Sequence, residues 1–326
     1  MSSEGRLIAR MREVLPEGTR TMLGSGDDCA LLEAPEGSFL VTADALVEGR
    51  HFRRDWSTPG EIGARAAAQN LADIAACGGR ASGLVVAMVI PPGSDEDWLI
   101  EVVSGFGSEV AKTDAGVVGG DITGGEDFTL AVTAFGYATR VVTRSGGQVG
   151  DTVALAGDVG VSGVGLGLLQ RGLFDPQARG AALGVFEYPV STYRVPKPPL
   201  NAGPRAAVAG ASAMMDISDG LGLDLSRLGK ASGVCVSLQS DLLTQFVSAH
   251  EPWLDLALEA FGMDDPMPLF NLGEDHCLVA TFPPRAPIPE EFVPIGTIAP
   301  GTSGLVVLDG EPFEIGGWDH LANGFE

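Results

Sequence analysis

Histidine and paired thiols are scarce in this chain. Its 326 residues include four histidines, none in an HExxH arrangement, and four cysteines, Cys29, Cys77, Cys235 and Cys277, without any CxxC spacing. Both scarcities argue against a zinc centre or a disulfide framework, and the apolar neighbours of the cysteines predict buried thiols. Basic residues are also few. Lys and Arg number 20 against 43 Asp and Glu, for a formal charge of -23, and no basic cluster offers a track for a phosphate backbone. Nucleic acid is therefore not an expected partner. Long hydrophobic runs are missing: the longest, residues 84–90, falls far short of the roughly 20 residues of a membrane helix. The opening MSSEGRLIARMREVL is charged and amphipathic, unlike a signal peptide. A cytoplasmic protein without membrane contact is expected. There is no GxxxxGK[ST] loop, no GxGxxG fingerprint and no GxSxG elbow, so the usual local signatures of nucleotide and acyl chemistry are absent.

What is present is an ordinary globular composition, 45% hydrophobic and 19% charged, in a chain long enough for two domains. Apolar segments of strand type fall at 39–46, 83–90 and 129–138, with helical periodicity at 59–77 and 95–111 between them. After TRSGGQVGD a second set begins, with a strand at 152–156, a Gly-rich turn and a helix, then strands at 212–217, 234–238, 277–282, 293–298 and 304–308. The boundary falls near residues 140–150.

The informative residues are carboxylates in apolar company. Asp27 and Asp28 stand in GDDCALL, and Asp44 follows core-like residues in FLVTADALVEGRHF. Asp73 lies three positions after Asn70, on the same face of an alanine-rich helix. Asp121 sits in VVGGDITGG, where glycines permit a tight turn or a close approach. Asp216 closes an apolar strand, and Ser218 or Asp219 suits the N-cap of the next helix. Glu274 and Asp275 repeat the Gly-carboxylate-carboxylate step. Each has a plain alternative as a cap, turn or satisfied buried acid.

Taken together they pose a problem. If Asp28, Asp44, Asp73, Asp121 and Asp216 converge, each pair about 5 Å apart repels by about 3 kcal/mol at an effective dielectric near 20. Several such pairs approach the stability of a whole domain. Either the residues stay apart or divalent cations hold them. A set of hard oxygens selects Mg2+ or Ca2+, and carboxylate-held Mg2+ usually shares its shell with phosphates.

Read in order, GDDCALL, TADALVEGRHF, NLADIAACGG, GGDIT, TRSGGQVGD, PKPPLNAG, DISDGL, GED and GWDHL make the chain resemble the thiamine-monophosphate kinases over nearly its whole length. These share an ATP-binding superfamily with aminoimidazole-ribonucleotide synthetase, selenophosphate synthetase and the hydrogenase-maturation dehydratase. The resemblance implies an α/β (α+β) fold. Residues 1–142 would form a ferredoxin-like domain that binds ATP and Mg2+ and pairs with a second copy in an intersubunit β-barrel, making a homodimer. Residues 143–326 would form a second α/β domain closing the active site.

Carried onto this chain, the resemblance implies several Mg2+ ions held by Asp28, Thr42, Ala43, Asp44, Asp73, Asp121, Asp216 and Asp219. ATP would contact Gly120, Asp121, Arg144 and Ser218, and His51, Glu274 and Trp318 would contact the thiamine substrate. Asp44, Asp73, Asp121 and Arg144 would serve the transfer itself. The family's Ser-Thr-Asp is here Thr42-Ala43-Asp44, which leaves a backbone carbonyl as the oxygen of the middle residue. The implied reaction is in-line transfer of the ATP γ-phosphoryl group to thiamine monophosphate. The alternatives are a sister ATP-dependent synthetase, or a non-catalytic nucleotide- or metal-binding protein on the same scaffold. The reactive N-terminal Cys of selenophosphate synthetase and the C-terminal Cys of the dehydratase are both missing.

Overall fold

Two units divide the chain in the computed structural model: Met1–Ala75 with Gly79–Thr139, and Ala76–Gly78 with Arg140–Glu326. The structure describes residues 7, 10–23, 31–248, 253–313 and 316. Asp28, Trp318 and Cys29, singled out above, lie outside the described residues.

The first unit opens with a small antiparallel pair, β1 (Thr21–Leu23) and β2 (Leu31–Leu32). Its main elements are β3 (Leu40–Val47), α1 (Pro59–Ala76), β4 (Arg80–Ile90), α2 (Glu96–Val110), β5 (Gly116–Gly124) and β6 (Thr129–Tyr137). The sheet order is β3-β6-β4-β5, with β4 and β5 parallel and the other neighbours antiparallel. The expected α/β class holds. The connectivity, β-α-β-α-β-β, differs by one step from the β-α-β-β-α-β of a ferredoxin-like unit, because α2 returns the chain to a parallel β5 before β6 inserts between β3 and β4.

Local chemistry defines α1. Thr58 Oγ1 accepts the Glu61 N–H at 3.3 Å while Glu61 Oε2 accepts the Thr58 N–H at 2.7 Å, a capping box with Pro59 at the first helical position. At the other end Gly78 turns left-handed, φ 77°, and the Gly79 N–H reaches back to Ile74 O at 3.0 Å, ending the helix in a Schellman motif. The alanines between, among them Ala66, Ala67, Ala68 and Ala72, are buried. Small residues let the helices approach closely. A Cβ on Gly63 would stand 1.8 Å from Val102 O of α2, and one on Gly105 would stand 2.0 Å from Gly60 O.

Strand alternation sorts the sheet into two faces. Leu46, Leu84, Met88, Leu130, Val132 and Ala134 are buried on one of them. The other stays open, with Val41 59% exposed and Ala43, Ala45, Ala87 and Ala131 exposed beside it.

Of the two expectations for GGDIT, a tight turn or a close approach, β5 takes the second, with a strand backbone as the neighbour. It is an edge strand of nine residues, and its glycine serves close approach: a Cβ on Gly120 would lie 2.2 Å from Val86 O on β4.

The second unit contains β7 (Thr152–Ala156), α3 (Val161–Gln170), α4 (Glu187–Arg194), α5 (Ala202–Ala209), β8 (Ala213–Ile217), α6 (Leu221–Ser232), β9 (Cys235–Leu238), α7 (Ser240–Ser248), α8 (Trp253–Phe261), β10 (Cys277–Phe282), β11 (Val293–Ala299), β12 (Val306–Leu308) and β13 (Glu311–Pro312). Its sheet order is β13-β12-β9-β11-β7-β10-β8. β8 and β10 are buried along their whole length, which explains their continuous apolar runs. Asp216, facing Leu278 across that pairing, is the exception within β8. Cys235 and Cys277 are buried. No described helix is long and apolar enough to cross a membrane.

Candidate active site

In the first unit the sequence-predicted residues fall on adjoining elements. Thr42 and Asp44, two apart on β3, share the helix-covered face. Thr42 Oγ1 donates to Asp73 Oδ2 of α1 at 2.7 Å. Asp44 is exposed, and its Oδ1 accepts the Ala45 N–H at 2.8 Å; it lies inside the strand and caps no helix. Asn70, one turn before Asp73, is 2% exposed, and its Nδ2 donates to Ala66 O at 3.0 Å. The register runs Asp44, Val132, Val86, Gly120 straight across the four strands, so Gly120 shares the face of Asp44. Asp121 pairs with Ala87 one row further and belongs to the open face.

His51 lies in the turn after β3. The Val47 N–H donates to its Nδ1 at 3.0 Å, and its own N–H returns to Val47 O at 3.0 Å. The chain beyond is pinned by Arg54, which pairs with Glu48 at 2.8 Å and lies 4.1 Å from the centre of the Trp98 ring.

In the second unit DISDGL and GED come together. The Glu274 N–H donates to Ser218 O at 2.6 Å and the His276 N–H to Ile217 O at 2.8 Å. Glu274 and His276 hold left-handed φ values of 68° and 55°, a conformation costly for side chains with a Cβ and sustained here by those bonds. Asp216, 6% exposed, has Oδ2 3.7 Å from His276 Nδ1.

The helix-cap expectation for Ser218 or Asp219 is not met. Gly220 occupies the N-cap of α6 without a side-chain cap bond. Instead Asp224, inside the first turn and fully buried, accepts the N–H groups of Ser218 at 3.0 Å and Asp219 at 2.9 Å. Arg227 bridges Asp224 and Asp219 at 2.6 Å each. Burial pushes the Asp224 carboxyl up to about 6, against the opposing pull of the amide at Asp219. The Asp219 side chain turns toward Arg227, eight residues on.

Glu274's neighbour Asp275 is a remote cap. Its carboxylate accepts the N–H groups of Gly160 at 2.7 Å and Ser162 at 2.9 Å, at the start of α3. Complete burial raises it to about 7. Arg144 is exposed, and no carboxylate among the described residues engages its guanidinium.

The donor set tests the fit of a metal. Among the described residues no three carboxylate, histidine or cysteine groups gather at one point. Thr42, Asp44 and Asp73 offer only hard oxygens. Such a set suits Mg2+, which takes one or two protein carboxylates and fills the rest of its shell with water and phosphate; it does not make a closed Ca2+ cage.

Residues 26–138 match the family model of AIR synthase related protein, N-terminal domain. The chain is 38% identical over 319 residues to the thiamine-monophosphate kinase of Mycobacterium tuberculosis strain H37Rv, covering 97% of this chain and 90% of that protein. It belongs to the thiamine-monophosphate kinase family. The kinase of Escherichia coli K12 is 33% identical, with 92% of both chains covered. Among solved structures, AaThiL complexed with AMPPCP and TMP superposes with a TM-score of 0.76 at 28% identity, covering 86% of this chain and 87% of that one.

In this member of the thiamine-monophosphate kinase family, the residues that organise the site were harder to read than those expected to form it. Asp224 and Arg227 carry a signal after the fact, as an acid in the first helical turn and a base one turn later. Asp275 stood out only as half of a repeated Gly-carboxylate-carboxylate step, and its role as a cap could not be read because its partner Gly160 lies 115 residues away in the chain.

Proposed function

We propose that this chain phosphorylates thiamine monophosphate to thiamine diphosphate with ATP. An oxygen of the substrate phosphate attacks the γ-phosphorus in line, the bond from that phosphorus to the β–γ bridging oxygen breaks, and ADP leaves. No covalent enzyme intermediate is required. The attacking oxygen is already ionised near neutral pH, so no strong general base is required either. Charge repulsion and alignment dominate the barrier, and those are what a fixed set of donors relieves.

The observation that carries this reading is the Thr42–Asp73 hydrogen bond, which presents a carboxylate in one orientation beside Asp44 on a face that also holds Gly120. Thr42, the carbonyl of Ala43, Asp44 and Asp73 would hold Mg2+ in the first unit, with Asp28 and Asp216 as further ligands, while Asp121, on the opposite sheet face, would serve only a separate ion. Bound there, Mg2+ would neutralise phosphate charge as it builds during transfer. Asp219 would join only when its contact with Arg227 opens. Arg144, Ser218, Gly120 and Asp121 are assigned to ATP, and His51, Glu274 and Trp318 to thiamine monophosphate. The first unit would also carry dimerisation: its open sheet face, with Val41 59% exposed, suits a second copy of this chain.

The test is product formation from ATP and thiamine monophosphate in the presence of Mg2+, with Asp73→Asn as the control. Thiamine diphosphate from the parent chain, and its loss in the variant, are the expected results. Absence of diphosphate from the folded parent chain overturns the reading, and nucleotide binding without turnover points to a non-catalytic protein on this scaffold.

A further inference from the structure

Ser232 is the last residue of α6, and its hydroxyl is fully engaged. Its Oγ donates to Arg144 O at 2.8 Å and accepts the N–H groups of Gly146 and Gly147 at 3.1 Å each. A serine hydroxyl has one proton and two lone pairs, so the whole capacity of this side chain is spent on one loop. Other contacts fix the ends of that loop. Thr143 O accepts the Met214 N–H at 3.0 Å, and Thr143 Oγ1 donates to Ser145 O at 2.9 Å. Asp151 Oδ2 accepts the Gln148 N–H at 2.9 Å and the Ser212 hydroxyl at 2.5 Å. A Cβ on Gly146 would lie 2.2 Å from Ser212 O, so the loop is seated directly on that chain.

This arrangement has a chemical consequence. Amides of a Gly-rich loop often cradle phosphate, but those of Gly146 and Gly147 are already bound to Ser232. The anion-seeking group that the loop still offers is the exposed guanidinium of Arg144, on a backbone anchored by Ser232. We propose that Ser232 is a positioning residue which sets Arg144 for the ATP phosphates. This rests on the kinase reading given above and adds to it a residue 88 positions away in the chain.

The experiment is steady-state kinetics on the full chain for Ser232→Ala, Ser232→Thr, Arg144→Ala and the double variant. Ser232→Ala is expected to raise the KM for ATP about tenfold, with the KM for thiamine monophosphate within about twofold of the parent. Ser232→Thr, which keeps a hydroxyl, restores the parent value. In the Arg144→Ala background the serine change adds nothing, since its effect runs through the arginine. An unchanged ATP KM in Ser232→Ala beside a raised one in Arg144→Ala overturns the positioning role and leaves the kinase reading standing. Effects that multiply in the double variant also overturn it. An unchanged ATP KM in Arg144→Ala overturns both the positioning role and the ATP contact, while turnover itself still tests the activity. If Ser232→Ala shows no cooperative thermal transition, Ser232→Cys, similar in size and weak in hydrogen bonding, carries the same expectation.

Discussion

Thr42 and Asp73 are joined by a 2.7 Å hydrogen bond from a strand hydroxyl to a helix carboxylate. The bond ties β3 to α1. Thr42→Val keeps the shape and removes the donor. We expect it to cost about 1 kcal/mol of stability and to raise the Mg2+ concentration needed for half-maximal activity, whereas Thr42→Ser retains both. Superimposable Mg2+ titrations for the valine variant and the parent sink this prediction.

On the α1 side, the approach to α2 depends on Gly63 and not on Gly60. A Cβ at Gly63 meets Val102 O at 1.8 Å, while one at Gly60 finds only Glu101 O at 3.9 Å. Gly63→Ala therefore forces the helices apart, at a cost of about 1–3 kcal/mol or more. Gly60→Ala is expected to be neutral or slightly stabilising. Urea unfolding of the two variants separates them, and equal midpoints refute the packing argument.

Asp224 is buried with its charge committed to two backbone amides and to Arg227. Asp224→Asn sets an NH2 group against either the amides or the guanidinium. A loss of about 2 kcal/mol follows, with a raised KM for ATP because the Ser218 amide loses its anchor. Calorimetry and ATP saturation curves check both, and a parent-like pair of values contradicts the assigned role.

The Asp275 carboxyl supplies a pH signature. Its folded value, about 7, exceeds the ordinary value of 3.8 because burial penalises the charged form. The folded state thus holds this proton more tightly than the unfolded state. The stability it contributes is complete below about pH 3.8 and is lost as pH rises through about 7. Asp275→Asn, neutral throughout, is expected to remove this downward slope from the curve of melting temperature against pH. Parallel curves for parent and variant between pH 5 and pH 8 count against it.

Much of the fold was legible along the chain. Strands β3, β4, β6, β7 and β10 and helices α1 and α2 follow from alternation, helical period and end signals, because such signals act within a few residues of where they stand. β5 was not legible. Its glycines allowed a tight turn or a close approach to a ligand, and only pairing with β4, where Gly120 meets Val86 O, makes them a strand. The site divides in the same way. Carboxylates set in apolar stretches marked Asp44, Asp73, Asp121 and Asp216 from the sequence alone, yet of the four the fold buries only Asp216, leaving Asp73 half-buried and Asp44 and Asp121 exposed, because sequence neighbours do not fix the side to which a side chain points.

Local residue chemistry thus marked which side chains stand out in their surroundings, and which stretches form strands and helices. What the tertiary structure decided was their company. It joined Thr42 to Asp73, put Asp121 on the opposite sheet face from Asp44, turned Asp219 toward Arg227, and made Asp275 the cap of α3. Hydrogen bonds and ion pairs act over a few ångströms of space, and chain separation places no limit on which residues they bring together.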